Sequence, residues 1–544
     1  MRDRTARMVT ADALPTVQID GVVWTQVMIG NTVFAGGEFT AARPAGAPTG
    51  SQETPRGNLL AYDLTTGELK TTFAPGAFNG PVKALAVSAD KKVLYVGGDF
   101  TMAGTTARGH FAALDPSTGA LRTPKASFNG SVNALAVNST TVFAGGTFTS
   151  AGGKKRTRLA AVNAGSGKLT AWKASANRTV KALLLTSGSK LLVVGGSFTK
   201  LNSTKASGSG AVSPTTGKTK TWKVNKVVKN GGKASAILAL ATDGSTVYAG
   251  AYTYGTGNFE GVYAASSTDG TLRWLQDCHG DAYGVVPIGD VVYSVGHAHY
   301  CSNIGGFPDT SDNSQLRSAW YRGIAVTKTA EGTVAKNTQK SAKTYTDFKG
   351  KPAPSLLNWF PHISAGTYTG MFQGAWSIVG NGTYLALGGE FPKAGGVAQE
   401  GLVRFAISTV APNKVGPAED DSGLVLTATP QPDGRVVLEW NQLWDRDDLT
   451  LSYALSRDGT VIDTQTVSVP FWKRSTMSFT DDEVTPGELS NPEYQVTASD
   501  PDGNSVVSSV VRVVRPSGPD SRPPNGDPEP ARKDRVVATT TGRK

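Results

Sequence analysis

The chain has 544 residues, 39% of them hydrophobic and 18% charged, with 64 Gly, 29 Pro and a formal net charge of +11; this length exceeds one ordinary domain and predicts two domains with tails. No stretch approaches the roughly 18 consecutive apolar residues of a membrane-spanning helix, and the glycines do not recur at every third position, which excludes collagen. Charge is segregated, with 19 Lys and Arg and no Asp or Glu over residues 116–242 (+19), against 7 basic and 17 acidic residues over 418–516 (−10).

From the N-terminus, residues 1–11 are expected to be flexible, and the opening MRDRTARMVTADALP holds no apolar segment of a secretory signal. The numbering then begins after or inside a leader, or export takes another route. A repeat follows: VFAGGEFT (33–40), LYVGGDFT (94–101), VFAGGTFT (142–149), LVVGGSFT (192–199), VYAGAYTY (247–254), VYSVGHAH (292–299) and YLALGGEFP (384–392). Each copy is flanked by short apolar segments of period two, such as VKALAV from Val82 before it and HFAALDPSTGAL after it, whose Gly-containing turns predict hairpins.

Four strands per unit of about 50 residues is the pattern of a β-propeller blade. The fold class is therefore all-β: a seven-bladed β-propeller over residues 12–410, six or eight blades being the alternatives, with an N-terminal strand near 14–19 completing the last blade. An open β-solenoid is the competitor, disfavoured because closure removes exposed strand edges.

Within the units, the positions after the repeated glycines (Glu38, Asp99, Thr147, Ser197, Tyr252, His297 and Glu390) form a polar column expected at the channel face. Lys154, Lys155, Arg156, Arg158, Trp172, Lys173, Trp222 and Lys223 lie in the carboxylate-free stretch and are the candidate contacts for an anionic polymer. Downstream, Cys278 and Cys301 are the only cysteines and lack a second CxxC-like pair, so one disulfide is favoured over a structural zinc site.

Around them, His279, Asp281, His297, His299 and His362 are expected on one sector of one face, offering nitrogen and oxygen ligands to zinc or another transition metal. The competing reading is a hydrogen-bonded polar plug at the channel mouth. No GxSxG, HExxH or Walker-type motif supports an enzyme, and no motif for sequence-specific nucleic-acid binding occurs.

After a linker at 411–417, strands return with sandwich spacing over 418–515, with Trp440 and Tyr494 where a fibronectin type III-like, immunoglobulin-like β-sandwich places its core Trp and corner Tyr. Asp445, Asp447, Asp448, Asp500 and Asp502 lie in two of its loops and offer hard oxygen ligands to Ca²⁺. Residues 516–544 are Pro-rich, charged and free of aromatics, a disordered tail.

The repeats, together with DCHGDAYG (277–284), GHAHYCSNIGGFP (296–308) and NWFPHISAGTYTG (358–370), resemble a family of actinobacterial extracellular proteins with GGxFT-type propeller repeats and a fibronectin-like or PKD-like module. The resemblance covers roughly residues 12–515 and implies a secreted or cell-surface protein; it brings no reaction with it. The expected function is thus a non-enzymatic extracellular binding or adhesion protein, its propeller recognising an anionic cell-wall polymer or polysaccharide and its sandwich acting as a spacer. The alternatives are a metal-dependent enzyme acting on a polysaccharide or ester at the histidine-rich mouth, and a virion-associated binding protein of a phage.

Overall fold

The computed structural model describes residues 1–3, 5, 7–309, 320–339, 345–418, 423–483 and 491–514; the tail expected at 516–544 lies outside them. The protein is all-β, with no α-helix among the described residues, and its larger part is a β-propeller-type domain. Seven antiparallel sheets of three or four strands succeed one another along it. Their first strands are Val22–Ile29, Val82–Val87, Val132–Val137, Val180–Leu185, Ser235–Thr242, Ala282–Ile288 and Ala375–Gly380. Each packs against the first strand of the next sheet, and Ala375–Gly380 packs against Val22–Ile29.

The repeated Gly-Gly pair explains how the sheets fit. A Cβ on Gly36 would lie 2.4 Å from Val82 Cγ1 of the following sheet, and one on Gly37 would lie 1.9 Å from the Val22 carbonyl oxygen within its own sheet. The first glycine thus admits the neighbouring sheet, and the second lets two strands approach at a bulge. The same contact joins the ends of the domain, where a Cβ on Gly388 would meet Val23 Cγ1 at 2.6 Å. The phenylalanine of the repeat is buried in each copy that has one, at Phe39, Phe100, Phe148, Phe198 and Phe391.

All seven first strands carry a β-bulge at the same register, opposite this glycine pair or its equivalent. The extra residues are Trp24, Lys83, Asn133, Lys181, Leu238, Tyr283 and Trp376, one per sheet. A bulge leaves its extra residue outside the pairing and re-aims its side chain, and all seven line a single cavity.

The N-terminal segment departs from expectation. Met8, Val9, Thr10 and Ala11 are buried, and Val9 and Leu14 bridge to Ile407 and Arg404 at the edge of the last sheet. The stretch expected to be flexible over 1–11 is instead built in over Met8–Ala11, because its apolar side chains cover that edge. Gln18–Ile19 leaves it and pairs with Ala41–Arg43.

The C-terminal part comprises two antiparallel sheets. One holds Leu426–Pro430, Val436–Asn441 and Thr476–Asp481; the other is centred on Thr450–Arg457 and Glu493–Ser499. Trp440, Tyr453 and Tyr494 are fully buried among its aliphatic residues, and the Tyr494 hydroxyl donates to Asp481 Oδ2 (2.8 Å). The 411–417 stretch is anchored on both sides: the Lys414 N–H donates to Asp12 Oδ1 (2.9 Å) and Asn504 Nδ2 to the Val415 carbonyl (3.1 Å). Phe471 packs against Tyr321 and Phe360, with ring centroids 4.9 and 5.2 Å apart.

Candidate functional site

The bulges and the loops above them build one face of the propeller-type domain. Loop residues entering the sixth sheet meet those leaving its second strand, and the Cys278–Cys301 disulfide joins them with Cα atoms 4.3 Å apart. Both half-cystines are buried.

The histidines here are held by rings and hydrogen bonds. His279, 1% exposed, stacks between Tyr345 (centroids 3.7 Å) and Tyr300 (4.8 Å), with Nδ1 bonded to Gln339 Oε1 and Nε2 3.8 Å from Asp277 Oδ1. Burial raises the pKa of Asp277, opposed by its contacts with His279 and Asn303. His297 Nε2 accepts from the Asp281 N–H (3.3 Å) and Nδ1 lies 3.0 Å from Gln373 Oε1, so Nδ1 carries the proton. Its ring stacks on Trp320. The Tyr283 hydroxyl donates to Asp281 Oδ2 (3.1 Å). His299, Nδ1 3.5 Å from Asp309 Oδ1, has its pKa lowered to about 4 by burial first and then by the neighbouring His297. It is neutral at pH 7.

His362 does not join this group. Its side chain is exposed, and its pKa is lowered by partial burial and then by Arg446, Arg322 and Lys393. Among the described residues, three ligand atoms of His, Cys, Asp or Glu lie within 4.8 Å of one another only at Asp445, Asp447 and Asp448. The five-residue metal set expected from the sequence is therefore not gathered, because stacking and hydrogen bonds to the surrounding loops orient the rings elsewhere.

The Asp trio lies where the N-terminal segment meets the C-terminal sheets. The Ala11 N–H donates to Asp447 Oδ2 (2.7 Å), and Asp445 Oδ1 accepts from the N–H groups of Asp447 (3.0 Å) and Asp448 (3.2 Å). Asp445 Oδ2 is buried without a hydrogen-bond partner, and burial raises the Asp445 pKa to about 6. Asp500 is separate and caps its own turn, accepting from the Asn504 N–H (2.8 Å) and side-chain amide (2.6 Å). Of the five carboxylates expected to offer calcium ligands, three are brought together.

The basic candidates divide by exposure. Lys154, Lys155, Lys173 and Lys223 are exposed, the last paired with Asp269 (2.5 Å). Trp172 and Trp222 are not ligand platforms: each is buried, Trp172 against Phe143 with Nε1 donating to the Ser213 carbonyl (3.0 Å). Arg156 is likewise buried, its guanidinium donating to the Lys155 and Thr170 carbonyls, and it repeats the placement of Arg56 and Arg108 on the carbonyl of the preceding residue. Arg158 occupies a left-handed position (φ 66°) that Asn58 and His110 fill in earlier units. Both arginines serve the repeat, which a comparison of unit against unit reveals.

Residues 59–223 match the model of the Rax2 C-terminal β-propeller domain. The fold similarity is to a β-propeller. No curated protein matches the chain. Among solved structures, a chain of the "Crystal Structure of Mitotic Checkpoint Complex" is similar at 12% identity and TM-score 0.41, over 74% of this chain and 97% of that one. No helix among the described residues is long and apolar enough to cross a membrane.

Beside the cavity lined by the bulge residues, three residues of the polar column meet bulge residues. Lys83 pairs with Asp99, Trp376 Nε1 donates to Glu390 Oε1 (3.2 Å), and the Tyr283 hydroxyl lies 3.2 Å from His297 Nδ1. The bulges that line this cavity are the feature that sequence reading missed. Their only signal is one variable position inside VxALAV-like segments.

Proposed function

We propose that this protein is a non-enzymatic extracellular or cell-surface binding protein whose propeller, of seven blades closed by residues 9–14 on the last sheet, recognises an anionic polymer or glycan. The observation that carries this reading is the 127-residue stretch (116–242) without a single carboxylate, which folds into consecutive sheets and exposes Lys154, Lys155 and Lys173. Such a sector attracts polyanions through charge, with little geometric demand. The C-terminal sheets act as a fibronectin type III-like spacer over 418–515, supported by the buried Trp440 and Tyr494. This module is also assigned a Ca²⁺ at Asp445, Asp447 and Asp448, supported by their buried, clustered hard-oxygen donors.

The test is co-sedimentation of the full chain with isolated bacterial cell walls at about 50 and about 500 mM salt, because polyanion binding weakens steeply with salt. Binding at low salt that is lost at high salt supports the reading; absence of binding at both overturns it.

A further inference from the structure

The cavity at the bulges has two chemically distinct sides. On one, three aromatic rings are contiguous across the join between the last and first sheets: Trp24 lies 5.0 Å from Trp376, and Trp376 lies 4.2 Å from Tyr283. On the other stand Lys83 and Lys181, contributed by the second and fourth sheets. The volume is about 300 Å³, at the lower end of the roughly 300–1,000 Å³ of small-ligand sites.

The two lysines differ. Lys83 is neutralised by Asp99. Lys181 forms no ion pair among the described residues, and its side chain is exposed to the cavity. Surrounding protein desolvates it, which is the main cause of its lowered pKa, with the Lys83 charge second and only Asp99 opposing. An anion in the cavity would oppose both effects, because an opposite charge beside the ammonium favours its protonated form. The aromatic side is built of three mutually tilted rings, Trp24 at 58° and Tyr283 at 38° to Trp376, and the central ring is fixed by the Trp376–Glu390 hydrogen bond. Flat aromatic faces suit the C–H face of a sugar ring, and an ammonium opposite suits an acid group on that ring.

We infer that this cavity binds a single pyranose residue bearing one acidic group, its ring on Trp376 and Trp24 and its acid on Lys181. The inference rests on the proposed recognition of an anionic glycan and deepens it, giving the propeller a specific subsite apart from the diffuse basic surface.

The experiment is a tryptophan-fluorescence and calorimetric titration of the full chain with methyl glucuronide, methyl glucoside, glucose 1-phosphate and benzoate. Methyl glucuronide or glucose 1-phosphate should bind at least about tenfold more tightly than methyl glucoside, and the better of the two identifies the acid as carboxylate or phosphate. Lys181→Gln should remove about tenfold of that preference, the size expected for one charge-assisted contact, while methyl glucoside binding stays unchanged. Trp376→Ala should weaken both sugars, with circular dichroism confirming the fold. Equal binding of acidic and neutral sugars, no binding of any sugar, tighter binding of benzoate, or an unaltered preference in Lys181→Gln overturns the inference. The wall assay separates it from the broader reading: walls that sediment the wild type and Lys181→Gln equally, with no sugar titration, sink the subsite alone. A sugar titration without wall binding sinks the polymer reading alone.

Discussion

The indole of Trp376, in the last sheet of the propeller-type domain, lies 5.0 Å from that of Trp24 in the first. Some 350 residues of chain separate them, yet both occupy the same bulge position of their strands. The contact joins the two ends of the repeat array and forms one wall of the cavity lined by the bulge residues.

The join rests on close approach as well as on the aromatic pair. Gly388→Ala places a methyl 2.6 Å from Val23 Cγ1 and 2.8 Å from Ser377 Oγ. It is expected to destabilise the protein by about 1–3 kcal/mol, as overpacking does. Gly382→Ala, which meets nothing within 4 Å, should be close to neutral. Urea unfolding of the two variants checks the contrast.

Reduction should loosen the loops of the sixth sheet. The Cys278–Cys301 disulfide closes a separation of 23 residues, and its removal in Cys278→Ser/Cys301→Ser is expected to cost about 2–4 kcal/mol. The thermal midpoint of the oxidised protein should fall to that of the variant when a reductant is added.

His299 should make the protein acid-sensitive. Its folded pKa of about 4 lies below the ordinary histidine value of 6.5, so the unfolded chain takes up a proton first. Stability from this group is complete above pH 6.5 and falls as pH drops from 6.5 towards 4, by up to about 3 kcal/mol. The charges facing it are His297 and His279, which lower its pKa further, and Glu260 and Asp309, which oppose. His299→Gln should flatten the dependence of unfolding free energy on pH within this window.

The basic residues should separate into two classes. Arg156→Ala leaves the Lys155 and Thr170 carbonyls without their guanidinium donor and is expected to lower stability by about 1–3 kcal/mol. Lys154→Ser/Lys155→Ser should leave the thermal midpoint unchanged while weakening low-salt wall binding and reducing its salt dependence.

Calcium is expected to raise the thermal midpoint of the chelator-treated protein. A ligand that binds only the folded state stabilises it in proportion to the logarithm of its concentration. Asp445→Asn, which removes a charge from the buried trio, should abolish the shift.

The propeller-type repeat was legible because its physical cause is local. Gly36 and Gly37 recur in each GG copy wherever a strand must accept a neighbouring side chain and its partner's backbone at once. Alternating apolar residues likewise reveal strands without reference to the rest of the chain. The cysteine pair was legible by count. What sequence reading could not reach was direction. Trp172 beside Lys173 has the pattern of an exposed aromatic-basic contact, and only the fold turns its ring onto Phe143. Arg156 carries the charge of a surface residue but fills a repeated interior role.

The amino-acid sequence by itself determined the strand-rich architecture, the repeated unit and the segregation of charge, since each depends on short-range periodicity or on composition. Only the tertiary structure decided which side chains meet. His279 is held between tyrosine rings, His297 on Trp320 and His299 edge-on to Tyr345, while Trp24, Trp376 and Lys181, far apart in sequence, share a cavity. The reason is register: one extra residue in each first strand re-aims a single side chain, and the packing of successive sheets brings those seven side chains to one cavity.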